Sequence, residues 1–143
     1  MNDLFTITAL EREFLLDLVL ALMCGLVIGI EREKKNKPAG ISTQTLVIGA
    51  AMLFSFLSKT VNEGDPTRIA AQIVSGVGFL GAGIILKSEK TGKVWNLTTA
   101  ASVWYSAAIG MALGFNFHFV AVAATLYVVI INRIPRFRKD SDT

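Results

Sequence analysis

The residue best placed to do chemistry is Asp17, because it interrupts an apolar run: from Phe14 to Ile30 it is the one charge in 17 residues. An ionisable group among lipid tails costs about 2.5–3.5 kcal/mol at the centre of a helix, which makes it a functional candidate by default. Arg68 and Gln72 stand one helical turn apart at the start of a later apolar run, at the depth Asp17 reaches from the same side. Asp17 is therefore expected to approach Arg68 or Gln72. The pair reads either as an ion pair that fixes packing or as an ion or proton site. At the other end of the first run, Glu31-Arg32-Glu33-Lys34-Lys35 leads into Lys37-Pro38-Ala39-Gly40. Proline and glycine there mark a tight turn, and Glu31 falls about four turns beyond Asp17 on nearly one face. Gln44, Asn96, Thr98 and Thr99 lie near helix starts on that same side. Thr98 and Thr99 suit helix capping or a hydrogen bond to a neighbouring helix.

Other chemistries fail on residue types. Cys24 is the one cysteine, so no disulfide forms within the chain. With His118 the one histidine, the usual four Cys/His ligands of structural zinc are missing. No nucleophile–base pair assembles around His118, so no catalytic residue is assigned and the chain is not expected to be an enzyme. Gly76-Val-Gly78-Phe-Leu-Gly81 spells the dinucleotide fingerprint, but that motif needs a preceding strand and a helix opening at the glycines. Here it lies inside a charge-free run of 18 residues, Ile69–Leu86. No cofactor is implied. Mg²⁺ is usually held by one or two carboxylates together with several waters, and one buried acid beside an arginine is a poor site for it.

The elements that hold these residues follow from where charge is missing. Hydrophobic residues make up 52% of the 143 and charged residues 17%, against about 25% charged in an average soluble chain. Disorder is excluded by this apolar content. Runs free of charge, or nearly so, cover Phe14–Ile30, Ile41–Ser58, Ile69–Leu86 and Val94–Asn132. The last has 39 residues, too many for one crossing of a hydrocarbon core about 30 Å thick. It should turn at Gly114-Phe-Asn-Phe-His118. The expectation is an all-α polytopic membrane protein of about five short helices, near 14–30, 41–58, 69–86, 97–114 and 119–132, forming one domain. A soluble bundle would need polar helix faces, which Ile69–Leu86 lacks.

Basic residues set the orientation. With five spans, one side carries Arg12, Lys59 and Arg68, and the other carries the remaining eleven of the 14 basic residues. The N-terminus is expected outside and the C-terminus in the cytoplasm. The net charge of +3 then belongs to orientation and anionic headgroups, and nucleic acid is not an expected partner. The leader Met1–Glu13 lacks a basic n-region, so a cleaved signal peptide is not expected. Trp95 suits an interfacial anchor, whereas Trp104 and Tyr105 lie deeper and read as packing residues.

Small residues drive helix association in lipid. They recur at Ala21, Gly25 and Gly29 behind Asp17, at Ala71, Ser75, Gly78 and Ala82, and at Ser102, Ser106, Gly110 and Gly114. With Gly81 added, these read as tight packing inside the bundle. A homodimer or another homo-oligomer is the sharper alternative, and the bilayer is the surrounding partner.

Three stretches carry a family resemblance: Glu31-Arg-Glu…Lys37-Pro-Ala-Gly-Ile41, Asp65-Pro-Thr-Arg-Ile-Ala-Ala-Gln-Ile-Val-Ser-Gly-Val-Gly-Phe-Leu-Gly-Ala-Gly83, and Leu97-Thr-Thr-Ala-Ala-Ser-Val-Trp104…Ala108-Ile-Gly-Met111. The chain resembles the MgtC/SapB family of bacterial inner-membrane proteins from about Leu16 to Val129. It departs from the family pattern at Ser42-Thr43-Gln44, where an Arg-Thr-His or Arg-Thr-Asn is frequent, and at Asn96, where glycine is frequent. The resemblance implies a place among proteins tied to growth under magnesium limitation and, in intracellular pathogens, to virulence. Some members add a soluble C-terminal domain, which is expected to be absent here. Two functions stand open: a regulatory or accessory membrane protein acting with a membrane-protein partner, or an oligomeric channel or carrier with Asp17, Arg68 and Gln72 near its pathway.

Overall fold

A threonine three residues before a glutamate starts the first helix. Thr8 Oγ1 accepts from the Glu11 amide at 3.2 Å, and Glu11 Oε2 accepts from the Thr8 amide at 2.7 Å. This reciprocal cap satisfies two donors that a helix start otherwise leaves open. The computed structural model describes residues 7–61, 65, 67–87 and 94–134. From the cap, α1 runs Ala9–Lys34. At 26 residues it is about 39 Å long and overshoots a hydrocarbon core. The apolar span expected at 14–30 lies within it.

Asn36 and Ala39 take left-handed φ angles of 50° and 58°. They turn the chain into α2, Ile41–Val61. Glu33, from the end of α1, caps that helix: its Oε1 accepts from the Ile41 amide at 2.9 Å. The third helix, α3, spans Thr67–Ile84, two residues short of the expected end. A two-residue hairpin follows, β1 Leu86–Lys87 pairing antiparallel with β2 Val94–Trp95 in the register Leu86 with Trp95. It reverses the chain into α4, Leu97–Gly114. Asn116, at φ 65°, then makes the anticipated turn into α5, His118–Arg133. The five expected helices are the five helices among the described residues.

Of these, α1, α2 and α3 are each long and apolar enough to cross a membrane. Helix α4 is as long as α3 but carries Thr99, Ser102 and Ser106, all buried. The bundle exposes large apolar side chains and buries polar ones at its two ends: Phe119 and Phe79 are 86% and 83% exposed, whereas Asp17, Gln44 and Ser106 are at 0%. This inversion fits a lipid surrounding and not water.

Helices α2 and α4 form the central pair; α1 packs on α2, α4 and α5, and α3 lies on α4 and α2. Two of the three small-residue stripes make these contacts. A Cβ on Gly25 or Gly29 would strike the α2 backbone at Thr45 or Ile41, and one on Gly110 would strike the carbonyl of Ile48. The third stripe is a correction. Ala71, Ser75, Gly78 and Ala82 are all exposed, and nothing lies within 4 Å of a Cβ added to Gly78. Gly81 is buried, yet its added Cβ would make only ordinary contact with Ala100 at 3.9 Å. Trp104, expected among the packing residues, is 47% exposed.

Candidate functional site: two polar clusters

The polar residues inside the bundle gather at its two ends. At the end where α1 stops, Arg32 is 3% exposed and reaches across three elements. Its Nη2 donates to the Pro38 carbonyl at 2.8 Å, in the α1–α2 turn, and to Thr99 Oγ1 at 2.5 Å, on α4. One layer deeper, Gln44 Nε2 donates to the Ala39 carbonyl at 3.2 Å and to Ser102 Oγ at 3.4 Å, while Gln44 Oε1 accepts from Ser106 Oγ at 2.5 Å. Buried amides and hydroxyls are expensive unless paired, and here each finds a partner on another element. Thr99 thus bonds a neighbouring helix and does not cap its own. The α4 N-cap is Asn96, at φ 62°, without a side-chain cap bond. Glu31 is buried with its carboxylate 2.6 Å from Lys35 Nζ, and Lys37 is exposed beside it.

At the opposite end the expected partner of Asp17 is corrected. Asp17 Oδ1 lies 2.6 Å from His118 Nε2, at the start of α5. Arg68 and Gln72 are both exposed, and Gln72 lines a groove between α2 and α3. The reason is packing order: α5, and not α3, comes up against α1 beside Asp17. One turn before Asp17, Glu13 Oε1 accepts from Lys59 Nζ at 3.1 Å and from Asn116 Nδ2. Asp17 is fully buried while the His118 side chain is 45% exposed. Asp17 Oδ2 makes no hydrogen bond among the described residues. Sequence reasoning missed Glu13, Lys59, Asn116 and His118 as partners. The depth argument that selected Arg68 selects His118 equally, since both open helices from the same end of the bundle.

Apolar side chains fill the space between the clusters. Along α2, Ile48 and Met52 separate Gln44 from Ser55. Along α4, Ile109 and Leu113 separate Ser106 from the Asn116 turn. Along α1, Ala21, Cys24 and Ile28 separate Asp17 from Glu31. Of these seven, six are at most 1% exposed and Cys24 is 6% exposed. Among the described residues no three His, Cys, Asp or Glu side chains gather to hold a metal ion.

The sequence profile of the MgtC family matches residues 18–139. A protein named MgtC from Brucella abortus is 44% identical over 117 residues, covering 81% of this chain and 48% of its own length. A protein named MgtC from Salmonella typhimurium is 42% identical over 123 residues, covering 86% and 52%. An uncharacterised Haemophilus influenzae protein is 42% identical over 128 residues, covering 82% and 53%. The chain spans about half the length of the curated relatives it matches. No solved structure matches it.

Proposed function

This chain belongs to the MgtC family of membrane proteins, and from that premise we propose that it is a regulatory or accessory protein of magnesium homeostasis and adaptation to low magnesium. It would sit as a multi-pass bundle in the bacterial inner membrane, N-terminus outside, and act through contacts with a membrane-protein partner. The observation that supports this over transport is the apolar seal. Fully buried Ile28, Ile48, Met52, Ile109 and Leu113 occupy the layers between the two polar clusters, where a conduit for a hydrated cation would need oxygen ligands or water. The test is reconstitution in liposomes loaded with a Mg²⁺-sensitive dye, alongside growth of a deletion strain in low magnesium. Restored growth with no flux is the expected pair of results.

The second reading, an oligomeric channel or carrier for Mg²⁺ or another cation, is favoured by one observation. Asp17 is fully buried, and its Oδ2 makes no hydrogen bond among the described residues. Mg²⁺ flux that disappears in Asp17→Ala would establish that reading and displace the first.

A further inference from the structure

At the Arg32 end of the bundle a cleft of about 960 Å³ opens between the α1–α2 turn, the second hairpin strand, the start of α4 and the end of α5. Its polar lining is strongly basic. Arg32 forms part of it, Lys35 and Lys37 come from the α1–α2 turn, Arg133 comes from the last turn of α5, and Glu31 is the one carboxylate among the described residues that line it. That carboxylate already lies 2.6 Å from Lys35 Nζ, so it offsets little of the remaining positive charge. Lys35 also donates to the Asn132 carbonyl, tying the end of α1 to the end of α5 across the cleft. The first turn of α4 opens into the same space, and Asn96 makes no side-chain cap bond to it. Helix amides add a preference for anions.

The remaining lining is apolar and exposed. Trp95 is 57% exposed, Leu97 61% and Ile134 57%. A pocket for a soluble phosphate ester has no use for such a rim. A molecule whose phosphate is joined to hydrocarbon needs both parts, and basic pockets between helices at the cytoplasmic face are suited to acidic headgroups. The volume lies within the range of small-molecule sites.

We propose that this cleft is a binding site for the headgroup of an anionic phospholipid, its phosphate held by Lys37 and Arg133 beside the start of α4 and its acyl chains leaving over Trp95, Leu97 and Ile134. The site rests on the reading of the chain as a multi-pass membrane protein with this end in the cytoplasmic leaflet. It also gives the Lys37-Pro-Ala-Gly40 turn a ligand as well as a structural task.

The test is thermal unfolding of the purified chain in neutral detergent, titrated with phosphatidylglycerol or with phosphatidylcholine of equal chain length. Inorganic phosphate and glycerol 3-phosphate form separate arms. Phosphatidylglycerol is expected to raise the unfolding temperature saturably, with little response to the other three. The double substitution Lys37→Gln with Arg133→Gln should weaken the apparent lipid affinity about tenfold or more. Lys37→Arg with Arg133→Lys should retain the response, which keeps the test decisive if the neutral variant unfolds on its own. Lys59→Gln, at the opposite end, should leave the lipid response unchanged. Equal protection by phosphatidylcholine, or an undiminished response in the neutral variant, overturns the site. Protection by free phosphate or glycerol 3-phosphate equal to that by the lipid also overturns it, in favour of a soluble ester. A chain that stays dissolved without detergent sinks the membrane reading itself, whereas a detergent-dependent chain indifferent to headgroup sinks only the cleft.

Discussion

Helices α3 and α4 have 18 residues each and similar small-residue stripes, yet the stripes meet opposite fates. In α4, Ser102, Ser106, Gly110 and Gly114 are all buried against neighbours; in α3, Ala71, Ser75, Gly78 and Ala82 all face outward. The difference lies in what stands opposite. Helix α2 offers α4 a buried amide, Gln44, that accepts from Ser106. It also offers carbonyls, at Ile48 and Met52, close enough to exclude any side chain at Gly110 and Gly114. Helix α3 instead turns Ile73 and Val77 toward the core with Ala51 and Val103, and of its glycines Gly76, Gly78 and Gly83 remain on the outer surface while Gly81 is buried. Spacing alone tells that a helix has a smooth face. A complementary polar group on another helix tells where that face goes.

The sharpest way to break this comparison is a bulky residue on each stripe. Gly110→Leu must push α4 off the α2 backbone and should cost about 3 kcal/mol or more, read as lost yield or a lowered unfolding temperature in detergent. Next in size is Gln44→Leu, which strands the Ser106 hydroxyl in the interior and should cost about 1–3 kcal/mol. Gly78→Leu meets open space and should leave the unfolding temperature of the single chain within about 1 kcal/mol of the parent. Light scattering on that variant then reports whether the outward stripe serves a homo-oligomer: a fall in particle mass assigns it that role. Equal damage from Gly78→Leu and Gly110→Leu would erase the distinction between the helices.

The smallest effect concerns the start of α3. Asp65 Oδ1 accepts from the Thr67 hydroxyl at 2.5 Å and from its amide at 3.0 Å, and these bonds hold the carboxyl below its ordinary value of 3.8. A carboxyl depressed in the folded state stabilises fully above its unfolded value and loses that contribution as pH falls through the folded one. Protection of the amides in the first turn of α3, measured against the intrinsic exchange rate at each pH, should therefore fall below about pH 4, with no matching change at the start of α4, where no carboxylate caps among the described residues.

Much of the fold is legible in the sequence because lipid imposes a simple rule: charge is absent where the chain crosses. That rule gives five helices and the turn at Asn116. It does not give the exact end of α3, since the hairpin at Leu86 and Trp95 depends on pairing between residues with no strand pattern of their own. The residues at the Arg32 end are legible as a set: Glu31, Arg32, Lys37, Gln44, Asn96, Thr98 and Thr99 meet around one end of the bundle. The partner of Asp17 is not. Depth along the membrane normal follows from sequence, but the order of helices around the bundle does not, and Arg68 and His118 share one depth on different helices.

The apolar layer between Gln44 and Asp17 also has an electrical consequence. Hydrocarbon-like packing is where most of a transmembrane voltage falls, at about 2.3 kcal/mol per elementary charge for each 100 mV crossed. Polar groups fixed on either side of that layer, such as Arg32 and Asp17, stay near one potential each. A voltage set across the bundle would therefore fall between these two groups without pulling either out of place.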